Sequence, residues 1–127
     1  MTREQMVAEF GGPGVQNPMI MDLITLDPAS DCVVLVMIER RPWGAHPRQL
    51  QQIEEKINRY LGYVLDGFLV QQYPQYRGKS VQMRLDCAEA PHGLAVDFVE
   101  AAQRAGYAHG IEFTVKVVPG EAVPSGG

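Results

Sequence analysis

Three histidines, two cysteines and fifteen acidic residues are the groups in this 127-residue chain that could carry acid–base, nucleophilic or metal chemistry. Cys87 and His92 stand close together in the chain, and a thiol with a neighbouring imidazole makes a nucleophile when the thiolate is exposed. Cys87, however, falls on the apolar side of an alternating run, where a small thiol fills core. No catalytic residue is therefore assigned. Cys87, His92, His46 and His109 are all metal-ligating types, yet no close pair has the spacing of a zinc motif, so no metal is expected. Asp22, Asp27 and Asp31 flank a turn, where hydrogen bonding to nearby backbone explains them. Gly11-Gly12-Pro13-Gly14 has neither a preceding strand nor a Lys-Ser/Thr ending and is no phosphate loop. No cofactor is expected.

The residues with most to offer a ligand are Arg41, Trp43, His46, Glu89 and His92. They lie in two separate loops, 40–46 and 88–92. The loops meet only if the strands before them are parallel neighbours, since ligand crevices form where such strands end together. The elements must therefore be placed first.

Residues 19–26 and 32–39 read as two strands joined by a turn of Asp27, Pro28, Ala29, Ser30 and Asp31, a β-hairpin. The second strand, Cys-Val-Val-Leu-Val-Met-Ile, is apolar on both faces, so it is central or covered on its outer face by another chain. Pro47 suits the first turn of a long helix. Leu50, Ile53, Ile57, Tyr60, Leu61, Val64, Phe68 and Tyr73 recur at spacings of three and four and form one inward stripe, with Gln51, Glu54, Glu55 and Arg59 outside. Asp66 and Gly67 loosen its last turns, and Pro74 stops it. Residues 80–87 alternate, with Val81, Met83, Leu85 and Cys87 inward. A second helix spans 91–105, with Leu94, Phe98, Ala102 and Ala105 inward and Gly106 just past its end. Residues 111–118 close the fold as a strand with Ile111, Phe113, Val115 and Val117 on the core side. The order ββαβαβ predicts an α+β two-layer sandwich, a four-stranded mixed sheet with two helices on one face. Gln82, Arg84, Asp86, Glu112, Thr114 and Lys116 then line the opposite, solvated face. The hairpin adds apolar residues to that face, and an exposed apolar patch marks an interface.

The chain is long enough for one domain. Residues 19–118 form it, between an N-terminal tail at 1–18 and a C-terminal tail at 119–127, both rich in Gly and Pro. Thr2 with Gln5 makes a weak capping pattern for a short helix over 2–10, but that helix has too little apolar surface to stand alone. The composition, 46% hydrophobic and 20% charged with a net charge of -4, is that of a globular protein and argues against nucleic acid as a partner. No apolar stretch reaches the roughly 18 residues of a membrane span, and no secretory leader pattern opens the chain. A cytoplasmic location and two free thiols are the expectation.

At the long helix the string IEEKINRYLGYVLDG, preceded by VVLVM and Trp43 and followed by YPQYRGK, resembles a family of small bacterial proteins, the domain of unknown function 6572. Members pair a VVL strand with a tryptophan loop, an LQEKIN-type helix, a YP…GK turn and an AGF helix end, which here reads Ala105-Gly106-Tyr107. The chain departs from the pattern in an insertion at 108–110 and in its Arg41-Pro42-Trp43-Gly44 loop, where other members are more acidic. The resemblance implies fold and origin and brings no assigned activity. Together these features predict a non-enzymatic, protein-binding or accessory module, by analogy immunity- or antitoxin-like, as a homodimer or with another protein. The alternative is a small-molecule-binding protein or enzyme with its site at the loop edge near His46, Cys87 and His92.

Overall fold

The computed structural model describes residues 23–118. The expected tails at 1–18 and 119–127, and residues 19–22 of the expected first strand, lie outside that range. Four strands, β1 (Leu23–Asp27), β2 (Cys32–Glu39), β3 (Val81–Cys87) and β4 (Glu112–Val117), form one sheet in the order β1-β2-β3-β4. β1 pairs antiparallel with β2, while β2–β3 and β3–β4 are parallel, so the sheet is mixed. The first crossover holds α1 (Gln49–Leu65), a short α2 (Phe68–Gln72) and a 3-10 turn (Pro74–Tyr76), and the second holds α3 (Leu94–Ala108). Parallel crossovers are right-handed, which puts α1 and α3 on the same face, where they touch. The architecture is the α+β sandwich that the alternation of periods predicts.

β2 is an inner strand, as its apolar run requires. Val33, Leu35 and Met37 face the helices and are fully buried beside Met83, Leu85 and Phe113 of the next two strands. Each such side chain contributes about 1.5–3 kcal/mol on burial, so these six alone outweigh any surface ion pair of the domain. The hairpin turn closes on Asp27, which accepts from the Ala29 amide at 3.1 Å and the Ser30 hydroxyl at 2.9 Å.

The helices correct two expectations of phase. The long helix does not run unbroken to Tyr73. It ends at Leu65, and Gly67 takes φ 85° before the chain restarts at Phe68. A left-handed residue swings the next helical turn out of register, so Leu69 is the side chain buried, at 2% exposure, while Phe68 is 50% exposed. α3 begins at Leu94 and not at 91, and its buried side is Ala95, Val99, Ala102 and Gly106. Leu94 and Ala105, expected inward, are exposed, and Phe98 is half-buried. Gly106 is not past the helix end. It lies inside α3, where an added Cβ would sit 2.5 Å from the Ile111 carbonyl oxygen, and the turn out of the helix is made by Gly110 at φ 72°. Val117, expected in the core, is 44% exposed at the end of the outer strand β4.

On the face away from the helices, Gln82 Nε2 donates to Glu112 Oε1 and Thr114 Oγ1, each at 3.1 Å, and Arg84 folds along its own strand onto Asp86 at 2.7 Å. This is the expected polar face. Among the described residues the expected apolar patch on it is not open, because Val34 and Val36 are only 3% and 1% exposed, while Leu23 is 49% exposed. Among the described residues no helix is long and apolar enough to cross a membrane.

Candidate functional site

β2 and β3 run parallel with Glu39 paired to Cys87, so the two strands end together and deliver their loops to one edge of the sheet. The loop after β2 is fixed from inside. Glu39, 1% exposed, accepts from the Arg41 backbone amide at 2.8 Å and from Arg41 Nε and Nη2 at 2.9 and 2.8 Å, and Nη2 also donates to Gln52 Oε1 of α1 at 2.8 Å. A forked, charge-assisted pair of this kind is strong and directional. The bond to Glu39 raises the Arg41 pKa against the opposing effect of burial.

Further along, Gln49 at the start of α1 clamps the loop from the other side. Its amide nitrogen donates to the Pro42 carbonyl at 3.1 Å, and its Oε1 accepts from the Gly44 amide at 2.8 Å. Between these clamps Trp43 enters the end of the core and is 8% exposed. It is held by the loop after β3: its backbone amide donates to Glu89 Oε1, and its indole Nε1 donates to the Glu89 carbonyl, both at 2.9 Å. The amide bond from Trp43, followed by the contact with His92, holds the Glu89 carboxyl below the usual carboxylate range. His92 Nε2 lies 3.3 Å from Glu89 Oε1, and His46 Nδ1 accepts from the Arg48 amide at 3.1 Å.

Between the two loops lies a cavity of about 350 Å³, lined by Trp43, Gly44, His46, Pro47, Gln49, Leu50, His92, Gly93, Leu94 and Ala95. Of the five residues singled out from the sequence, Trp43, His46 and His92 line it. Glu89 stands behind them, positioning Trp43 and His92. Arg41 does not line it and belongs to the loop's internal frame. The residues missed are Gln49, Leu50 and Leu94. Gln49 carries no local signal, since its two bonds reach backbone five and seven residues away in a loop. Leu94 is missed because of the shifted phase of α3.

Cys87 is absent from the lining. It is 2% exposed, packed in the core. Burial first, then the nearby Asp86, Glu39 and Glu89, pushes its thiol up to about 11. His109 caps the far end of α3, about 22 Å of helix from Gly93. Among the described residues no three of His, Cys, Asp and Glu gather where they could hold a metal ion.

The site is therefore a shallow groove whose hydrogen-bonding groups mostly serve the loops themselves. The family model of a Family of unknown function (DUF6572) matches residues 14–119. No curated protein and no solved structure matches the chain.

Proposed function

Because the chain belongs to this family of unknown function, which brings no activity with it, we propose that it is a non-catalytic binding module that takes an apolar segment of a partner protein into the groove beside Trp43. Leu94 carries this proposal. It is 77% exposed at the groove, next to Leu50, Pro47 and the edge of Trp43. A lone exposed leucine means little, but one bordering a concave apolar surface has the character of a docking site.

The polar groups nearby support binding over catalysis. Glu89 is engaged by Trp43 and His92, and Gln49 by Pro42 and Gly44, so both side chains already serve to hold the loops together. What remains for a partner is apolar surface and the second ring nitrogens of two histidines, enough to orient a peptide backbone. Arg40 and Arg48, exposed on the same loop, favour acidic residues flanking the apolar segment. The alternative of an enzyme built on His46, Cys87 and His92 has less behind it, since Cys87 is buried, outside the groove and hard to ionise. A homodimer through the hairpin face has lost its motive with Val34 and Val36 covered. Two free cysteines suit a reducing, cytoplasmic setting.

Selection from a displayed random-peptide library tests the proposal. Peptides with an apolar core and acidic flanks should be enriched on the protein, and their binding should be lost on Leu94→Asp. That change sits in the first turn of α3, where an acidic residue suits the helix dipole and leaves folding intact. Peptides that bind the Leu94→Asp protein equally well, or a selection that enriches nothing, would overturn it.

A further inference from the structure

β4 lies at the end of the sheet, and among the described residues no strand pairs with the side of it away from β3. The Val118 amide donates to the Cys87 carbonyl at 2.7 Å, so by alternation Glu112, Thr114 and Lys116 turn their backbone groups to β3. Phe113 and Val115 turn theirs outward. An open row of this kind is a template for another strand unless charge keeps strands away. A lone lysine would do that. Lys116, however, shares its face of β4 with Glu112, two places beyond Thr114 on the other side, and makes no ion pair with a described residue.

We infer that this edge pairs antiparallel with the β4 edge of a second copy of the chain, about a two-fold axis at Thr114. In that register Glu112 lies opposite the partner's Lys116, Lys116 opposite the partner's Glu112, and Thr114 opposite its own copy. These are the non-hydrogen-bonded pairs, whose side chains stand closest, and opposite charges there attract. Phe113 meets the partner's Val115 in a hydrogen-bonded pair, which uses the outward backbone groups of both and sets an aromatic ring beside a β-branched side chain. An axis at Phe113 or Val115 brings neither charge opposite the other, and one at Glu112 or Lys116 sets like charges together. The match about Thr114 is therefore what selects a second copy over an unrelated strand.

The surroundings of the edge suit the same register. The next pair sets the partner's Val117, whose counterpart here is 44% exposed, opposite Ile111. There a cavity of about 740 Å³ opens between Gln103, Tyr107, Gly110, Ile111, Glu112 and Phe113. Tyr107, 85% exposed on α3, supplies a ring to cover the incoming valine. Two exposed apolar side chains of the single chain are thus covered by one association. The edge is separate from the groove beside Trp43, and the inference does not rest on that site.

Sedimentation velocity of the full chain tests it. The native chain should sediment as a dimer at micromolar concentration. Lys116→Glu and Glu112→Lys each turn both cross-axis pairs from attraction to repulsion and should raise the dimer Kd by about tenfold or more. Both positions are exposed, so the fold should survive the change. Mixed in equal amounts, the two variants should form a heterodimer, because the acidic positions of one strand then face the basic positions of the other. A native chain that stays monomeric overturns the inference. So does a dimer that persists in both single variants, or a pair of variants that do not recombine, since the contact would then lie elsewhere.

Discussion

Trp43 and Glu89 are joined at both ends of a single contact. The tryptophan backbone amide meets the glutamate carboxylate and the indole meets the glutamate carbonyl, each at 2.9 Å. The residues are 46 positions apart, so this pair ties the loop after β2 to the loop after β3 and sets the width of the groove. Trp43→Ala should lower stability by about 3–5 kcal/mol, the usual result of emptying a large aromatic site. Trp43→Phe keeps most of the packing and loses the indole bond, about 1–3 kcal/mol. Glu89 adds a pH dependence. The amide bond from Trp43 holds its carboxyl below the ordinary range, so its contribution is complete above the unfolded glutamate pKa and is lost as pH falls from there through the lowered folded value. Melting temperature against pH should show that acid limb in the native chain and a flatter one in Glu89→Gln.

Arg41 should behave as frame and not as ligand contact. Removing it leaves Glu39, 1% exposed, as a buried charge without its fork. Arg41→Ala should therefore cost about 3 kcal/mol in urea denaturation, and replacing both partners with leucine should recover most of it. A change under about 0.5 kcal/mol for Arg41→Ala would show that water replaces the guanidinium there.

Two helical glycines should respond in opposite directions. Gly106→Ala drives a methyl against the Ile111 carbonyl, 2.5 Å away, and should cost about 1–3 kcal/mol. Gly62→Ala, whose Cβ would have only Asp66 Oδ2 at 3.8 Å, should gain about 0.5–1 kcal/mol. Thermal denaturation of the two variants reads both signs.

The break at Gly67 can be checked by its neighbours. Leu69→Ala should cost about 2–5 kcal/mol and Phe68→Ala under about 1, despite the larger side chain lost at 68. In α1, Ile57→Ala should match Leu69→Ala, and the exposed Glu55→Ala should stay within about 0.5 kcal/mol. If chemical denaturation ranked Phe68 above Leu69, a continuous helix would be the better account.

Cys87 should resist alkylation in the native protein near neutral pH and react on unfolding, as mass spectrometry with iodoacetamide would show. Its raised pKa also sets an alkaline limb. The stabilising protonated form is fully present below the ordinary thiol pKa, and its contribution is lost as pH rises from there toward about 11. Fast native labelling of Cys87 would bring back a nucleophile at the loop edge.

Much of this protein is written locally. The bounds of β2, the alternation of β3, the Asp27 turn and the α+β order all follow from residue type and period, because each is decided within a few neighbouring residues. Placing the 40–46 and 88–92 loops at one edge also followed from chain order, since parallel crossovers leave no other arrangement. The phase of α3 did not. Its sequence offers apolar residues on more than one side, and the side buried is chosen by how closely Gly106 lets the helix approach Ile111. The rotation past Gly67, the double bond between Trp43 and Glu89, the Gln49 clamp and the exposure of Leu94 were likewise settled only in three dimensions. Each depends on atoms far apart in the chain coming within bonding or packing distance, and no period in the sequence records that.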